Sequence, residues 1–204
     1  MKKVGLYFGS FNPVHVGHLA IASFMVQNSD LDEIWMVVSP QNPHKKKASL
    51  LEDYHRMALM KIALEDDPKI KASDIEFGLP LPSYTSKTLA HLEENYPDNS
   101  FSLIMGEDNI RTFHKWYNYE HILNNYKIYV YPRPLGADEI EAYPSQDKGL
   151  DEVIKHSNVS WVKDVPVMHI SSSFIRASIK EGKDVRYLLT SEVFKYIDEM
   201  NFYR

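Results

Sequence analysis

The chain is predicted to be an α/β protein with a doubly wound, mostly parallel sheet and helices on both faces. Two observations predict this. Several short segments, such as "KVGLYFG" and "SFSLIMG", are apolar with little alternation, as strands covered on both faces must be. Helix-length segments separate them, and a strand–helix–strand order closes through right-handed crossovers into a parallel sheet.

Taken in order, Val4–Phe8 reads as a buried strand, Leu19–Val26 as an amphipathic helix and Asp32–Pro40 as a second buried strand. Leu50–Leu64 forms a longer helix with apolar residues at Leu51, Met57, Leu59, Met60 and Leu64. A strand at Ala72–Phe77 and a helix at Thr85–Tyr96 come next, then strands at Ser100–Gly106, Tyr126–Pro132 and Val159–Val162. Two helices, Ser172–Glu181 and Ser191–Asp198, complete the reading. The acidic segment Leu135–Asn158 lacks strong periodicity until Val153 and is assigned to a surface excursion without chemistry.

At 204 residues the chain fits one domain, 1–204, with the helices of 172–204 packed on it. A hydrophobic fraction of 44% and a charged fraction of 25% are those of an ordinary soluble protein, and no run approaches a membrane span. "MKKVGLYFGS" breaks into glycine and serine too early for an export signal, and there is no Cys, so a cytosolic location is the default. A net charge of −5 argues against a nucleic-acid partner. The single basic cluster, "PHKKKAS" at Pro43–Ser49, is too short for a DNA-binding arm. Nothing in the pattern identifies an unsatisfied apolar patch, so a homo-oligomer is neither required nor excluded.

The polar punctuation after the first strand, "YFGSFNPVHVGHL", carries the chemistry. Neither G-x-x-x-x-G-K-[ST] nor G-x-G-x-x-G is present. Instead Gly9 allows close backbone approach, Asn12-Pro13 makes a turn, and His15 and His18 fall three apart where a helix begins. Residues three apart share a helical face, so both imidazoles can address one ligand while the helix N-terminus adds donors. This outlines an anion site. In doubly wound sheets ligands sit beyond the carboxyl ends of the strands, and "GED" at Gly106–Asp108 ends another strand on that edge.

"GSFNPVHVGHL" resembles the [ST]-F-x-P-x-H-x-G-H signature of the nucleotidylyltransferase superfamily, and "ISSSFIR" at Ile170–Arg176 is similar to its second signature. Between them "NPHKK", "PSYT", "GED", "KWYNYEHIL" and "RP" follow in the order found in bacterial nicotinate-nucleotide adenylyltransferases, and "YIDEMNFYR" is similar to their usual ending. The resemblance implies a Rossmann-like nucleotidylyltransferase fold. It also implies transfer of the adenylyl group of ATP to nicotinate mononucleotide, giving deamido-NAD and pyrophosphate, with ATP as co-substrate.

On this resemblance His15, His18, Lys45 and Arg176 are the catalytic set. Gly9, Ser10, Phe11, Ser171, Ser172, Ser173 and Ile175 would join the two histidines and Arg176 in holding ATP. Tyr84, Thr85, Asp108, Trp116 and Arg133 would hold the mononucleotide, Trp116 by stacking on the pyridine ring and Asp108 on a ribose hydroxyl or near Mg²⁺. The expected cofactor, Mg²⁺, is held mainly by phosphates and water, with no protein cage. Two positions depart from the family pattern: Phe8 stands where a second glycine is common, and Asn12 where Asp is. The rivals are adenylyl transfer to nicotinamide mononucleotide or phosphopantetheine, a cytidylyltransferase, and a nucleotide sensor without turnover.

Overall fold

The computed structural model describes residues 1–40, 50–65, 67–132, 148–166 and 168–204. The chain runs β1 (Lys2–Gly9), α1 (Val16–Asn28), β2 (Glu33–Val38), α2 (Asp53–Leu64), β3 (Ile70–Ser73), α3 (Thr85–Asn95), β4 (Asn99–Gly106), α4 (Glu107–Ile110) and α5 (Tyr119–Asn125). It continues through β5 (Lys127–Tyr131), α6 (Lys148–Ile154), β6 (Val159–Trp161), α7 (Ser172–Lys180) and α8 (Ser191–Glu199).

The six strands are all parallel, in the order β3-β2-β1-β4-β5-β6. From β1 the chain builds outward to β3, then returns to lay β4 on the other side of β1. Strand order therefore reverses between β1 and β4, where Tyr7 pairs with Ile104. Such a switch point leaves a crevice beyond the strand ends, because the connecting helices diverge to opposite faces.

Alternate residues of each central strand feed two cores. Tyr7, Ile34, Met36, Val38, Ile104, Tyr129 and Tyr131 meet Met25 of α1, Met57 and Met60 of α2, Ile175 of α7 and Val193 and Ile197 of α8. Val4, Leu6, Val37, Phe101, Leu103, Met105, Ile128 and Val130 meet Leu89 and Leu92 of α3, Ile110 of α4, Ile122 of α5 and Val153 of α6. The period-2 alternation explains why the strands read as continuous apolar runs: neither face is left to water.

Helix α1 begins at Val16, earlier than Leu19, and is not amphipathic. Leu19, Ile21, Phe24 and Val26 all pack against the first core while Ala22 and Met25 are buried in it. The strand expected at Ala72–Phe77 starts at Ile70 and stops at Ser73, and Ile75–Gly78 winds instead as a 3₁₀ turn. Strand alternation would bury Ile75 and Phe77, but Phe77 is 37% exposed and Glu76 only 1%. The acid is buried because the Thr88 hydroxyl donates to its Oε1 at 2.8 Å. "KWYNYEHIL", which has no clear period of its own, holds α5, entered through Asn118 at φ 57, a left-handed conformation that Asn tolerates. Of the segment Leu135–Asn158, residues 135–147 lie outside the described residues, and α6 forms in the remainder.

Candidate active site

A cleft of ≈ 470 Å³ opens beyond the carboxyl ends of β1 and β4, at the switch point. The loop that leaves β1 forms one wall. Gly9, Ser10 and Phe11 line it, and Phe11, at φ 43, is buried to 2% exposure. A Cβ on Gly9 would meet the Phe11 ring at 2.8 Å, so the room that glycine leaves is taken by this ring. The Asn12-Pro13 peptide bond is cis.

His15 is the N-cap of α1 and is 4% exposed; His18 sits one turn on, and both line the cleft. Their rings stack with centroids 3.6 Å apart and planes at 23°. Gly17 makes this possible, since a Cβ there would lie 3.1 Å from His15 Nδ1. The backbone N–H of His15 donates to His18 Nδ1 at 3.3 Å. That nitrogen therefore carries a lone pair, and in the neutral imidazole the proton rests on Nε2. His18 is thereby set as a donor through Nε2–H.

The second signature forms the start of α7 and is bonded to the first. Ser171 caps the helix, its hydroxyl accepting from Phe174 N–H at 3.1 Å. The Ser172 hydroxyl donates to the Pro13 carbonyl at 2.8 Å, and Arg176 donates to the Asn12 carbonyl at 2.8 Å and to Ser173 Oγ at 3.2 Å. Ser171, Ser172, Ser173 and Arg176 all face the cleft. Ile175 does not: its side chain is fully buried in the first core, so the structure gives it a packing position and not a place on the cleft wall.

Sequence reasoning missed the supports behind this wall. Arg56 of α2 is fully buried, and its guanidinium donates to the carbonyls of Ser10 at 2.7 Å, Ser39 at 2.8 Å and Leu51 at 3.0 Å, and to Asp53 at 2.5 Å. A buried cation needs such satisfaction of its donors, and Arg presents five in a fork. Asn12, 1% exposed, accepts through Oδ1 from Leu51 N–H at 3.2 Å and from the Tyr203 hydroxyl at 2.8 Å. A neutral amide serves these contacts as well as a carboxylate would, which gives the departure at this position a physical sense.

At the opposite end, Tyr84, Thr85, Asp108 and Trp116 line the cleft together with Tyr117 and Glu76. Tyr84 and Thr85 are the N-cap and first residue of α3; Asp108 lies in the first turn of α4. Trp116 is half-buried against Phe113, ring centroids 5.3 Å apart, while Tyr117 is 59% exposed and packs on Tyr84 at 5.0 Å. Burial pushes the Glu76 carboxyl up, against the hydrogen bonding of Ser39, Thr88 and Ser83, which favours the ionised form. Lys45 and Arg133 lie outside the described residues. Among the described residues no three His, Asp or Glu side chains converge to hold a metal, and no helix is long and apolar enough to cross a membrane.

Residues 6–178 match the cytidylyltransferase-like family model. A relative in Flavobacterium psychrophilum, named "probable nicotinate-nucleotide adenylyltransferase", is 54% identical, covering 99% of both chains. One in Christiangramia forsetii with the same name is 53% identical over 100% of this chain and 99% of its own. In shape, the chain is similar to Plasmodium falciparum nicotinic acid mononucleotide adenylyltransferase complexed with NaAD. That match has a TM-score of 0.72 and 20% identity and covers 100% of this chain and 98% of the other, a likeness of fold. With two signatures bonded across one cleft and near-full-length relatives at this identity, the chain belongs to the nicotinate-nucleotide adenylyltransferase family, within the cytidylyltransferase-like group.

Proposed function

We propose that the chain transfers the adenylyl group of ATP to nicotinate mononucleotide, giving deamido-NAD and pyrophosphate in NAD biosynthesis, and that it does so as one domain in the cytosol. The observation that carries the reading is the tie between the signatures, Ser172 to Pro13 and Arg176 to Asn12. It sets hydroxyl, guanidinium and imidazole donors around one end of a cleft whose other end is aromatic.

The attacking group is a phosphate monoester with a second pKa of ~6, already mostly dianionic at neutral pH, so no general base is required. One of its oxygens bonds to the ATP α-phosphorus as the bond from that phosphorus to the bridging oxygen breaks, and pyrophosphate leaves with the electron pair. No covalent enzyme intermediate forms. The barrier is the approach of one anion to another, so alignment and charge neutralisation carry the catalysis. His18, presenting Nε2–H, and His15 beside it stabilise the charge at the α-phosphorus; Arg176 and Lys45 draw off the pyrophosphate. Gly9, Ser10, Phe11 and the capping serines of α7 hold the nucleotide, with helix N-terminal amides favouring its phosphates.

Trp116 offers a flat face to the electron-poor pyridine ring, and the start of α3 at Tyr84–Thr85 offers amides to its carboxylate. Arg133 assists on the mononucleotide side. Asp108, in the first turn of α4 just beyond β4, brings a carboxylate to the cleft wall, which fits Mg²⁺ bound mostly by phosphates and water; when bound, that ion would neutralise phosphate charge.

Pyrophosphate release with ATP and Mg²⁺, offering nicotinate mononucleotide, nicotinamide mononucleotide and phosphopantetheine in parallel, tests the reading. Turnover is expected with nicotinate mononucleotide. Turnover with phosphopantetheine alone would sink it, and no turnover at all would leave a nucleotide sensor.

A further inference from the structure

Around the phosphate end of the cleft, three side chains from separate parts of the chain grip the loop that leaves β1. Two are cations, Arg56 on the Ser10 carbonyl and Arg176 on the Asn12 carbonyl. The third is Tyr203, whose hydroxyl donates to Asn12 Oδ1 across 191 positions of sequence. We propose that Tyr203 is a positioning residue for the phosphate-handling loop, holding Asn12 and through it the segment that leads into His15.

The path to Tyr203 is built to deliver that hydroxyl. After α8 the chain turns sharply through Asn201 at φ 53, a left-handed conformation that Asn tolerates, and through Tyr203 itself at φ 67, which a bulky residue keeps only where its surroundings hold it there. The turn is fastened by the Phe202 N–H donating to the Ile197 carbonyl at 3.1 Å. The Phe202 ring, packed on His55 of α2 at 4.6 Å, fixes its distance from the sheet. The hydroxyl so delivered is partly buried, and that burial raises its pKa while the nearby Arg56 and Arg176 oppose the rise. It therefore stays protonated and a donor throughout the physiological range.

Asn12 is the hinge of the arrangement. Its Oδ1 receives Tyr203 and Leu51, its carbonyl receives Arg176, and Pro13 beyond it receives Ser172. With Asn12 fixed, the chain enters α1 from a defined point, and the stacked His15 and His18 rings take their place on the cleft wall. Without the tyrosine hydroxyl, one buried acceptor site on Asn12 loses its donor while every direct ligand contact remains in the protein.

The inference rests on the reading that this loop handles ATP phosphates, and the test separates the two. Affinity of the full chain for a non-hydrolysable ATP analogue and, separately, for nicotinate mononucleotide is measured by calorimetry in wild type, Tyr203→Phe and Tyr187→Phe. Tyr187 is a remote tyrosine, 88% exposed, and serves as control. Tyr203→Phe is expected to weaken the analogue about 3- to 20-fold, the value of one buried hydrogen bond. Mononucleotide affinity should hardly move, the melting midpoint should fall by no more than a few degrees, as loss of one hydrogen bond allows, and Tyr187→Phe should match wild type. In an Asn12→Ala background, Tyr203→Phe should add nothing further; if that background does not fold, the single variants decide. Unchanged analogue affinity in Tyr203→Phe, equal loss for both ligands, or additive losses in the double variant would overturn the proposal. Because these affinities are read without turnover, failure to adenylylate nicotinate mononucleotide would overturn the function and still leave Tyr203 tested.

Discussion

The two ends of the cleft are held by different physics. At the phosphate end, Arg56, Ser172 and Arg176 donate to backbone carbonyls of the first fifty or so residues, and the loop between β1 and α1 is gripped from α2, α7 and the turn after α8. At the pyridine end the walls are rings: Trp116 half-buried, Tyr117 exposed, Tyr84 leaning on Tyr117, with the buried Glu76 beneath the start of α3. Transition-state charge develops only at the first end, and donors aimed there must not reorganise during the reaction. The second end has to recognise a flat ring, and stacking tolerates adjustment. Rigidity is concentrated where charge moves.

The sharpest way to break this contrast is His18→Ala. Loss of one preorganised donor is expected to lower kcat about 10²- to 10³-fold. The melting midpoint should stay near wild type, because the ring stands on the cleft wall and not in the core. Activity within a few fold of wild type in a pyrophosphate-release assay would refute the donor role. Trp116→Ala attacks the other end and should raise KM for the mononucleotide about 3- to 30-fold while leaving KM for ATP unchanged. If both KM values rose together, the two ends would not be separable as described.

The smallest effect is on stability. The Glu76 carboxyl has its pKa raised by burial above the ordinary 4.5, so the folded state holds that proton more tightly than the unfolded chain does. The stability it contributes is full below that ordinary value and is lost as pH rises through the raised one. Glu76→Gln keeps an acceptor for Thr88 and never ionises. Its melting midpoint relative to wild type should therefore climb between acidic and neutral pH, by about 2–4 °C for each kcal/mol of relieved burial. A difference that stayed flat with pH would show that the buried charge costs nothing.

What was legible in the sequence was local. Apolar runs located the strands because both faces of the sheet are covered, and the spacing of His15 and His18 placed both on one face at a helix start. The misses share a cause. Arg56 and Glu76 are buried and Tyr203 half-buried because distant backbone or side-chain groups satisfy their polar atoms, and no local period encodes such a partner. Glu76 even inverted the strand pattern around it, so that Phe77 faces solvent. Ile175 shows the reverse limit: a motif carries its whole string into a site, although a helix must turn some of that string toward the core. Gly9 lines the cleft, and the space that a side chain there would need is filled by the Phe11 ring, a partner two residues on that the motif alone does not reveal.

The ties to the loop after β1 also have a history in time. Ser172, Arg176 and Tyr203 lie 159, 164 and 191 residues beyond the positions they hold, so a ribosome makes the loop long before it makes their side chains. The nascent chain can assemble β1 to β3 early, yet its nucleotide-handling segment gains these fastenings only at residues 172, 176 and 203, and the set is complete only when synthesis passes the last. Competence to bind ATP is thus expected to arrive late and abruptly during translation, well after most of the sheet can have formed.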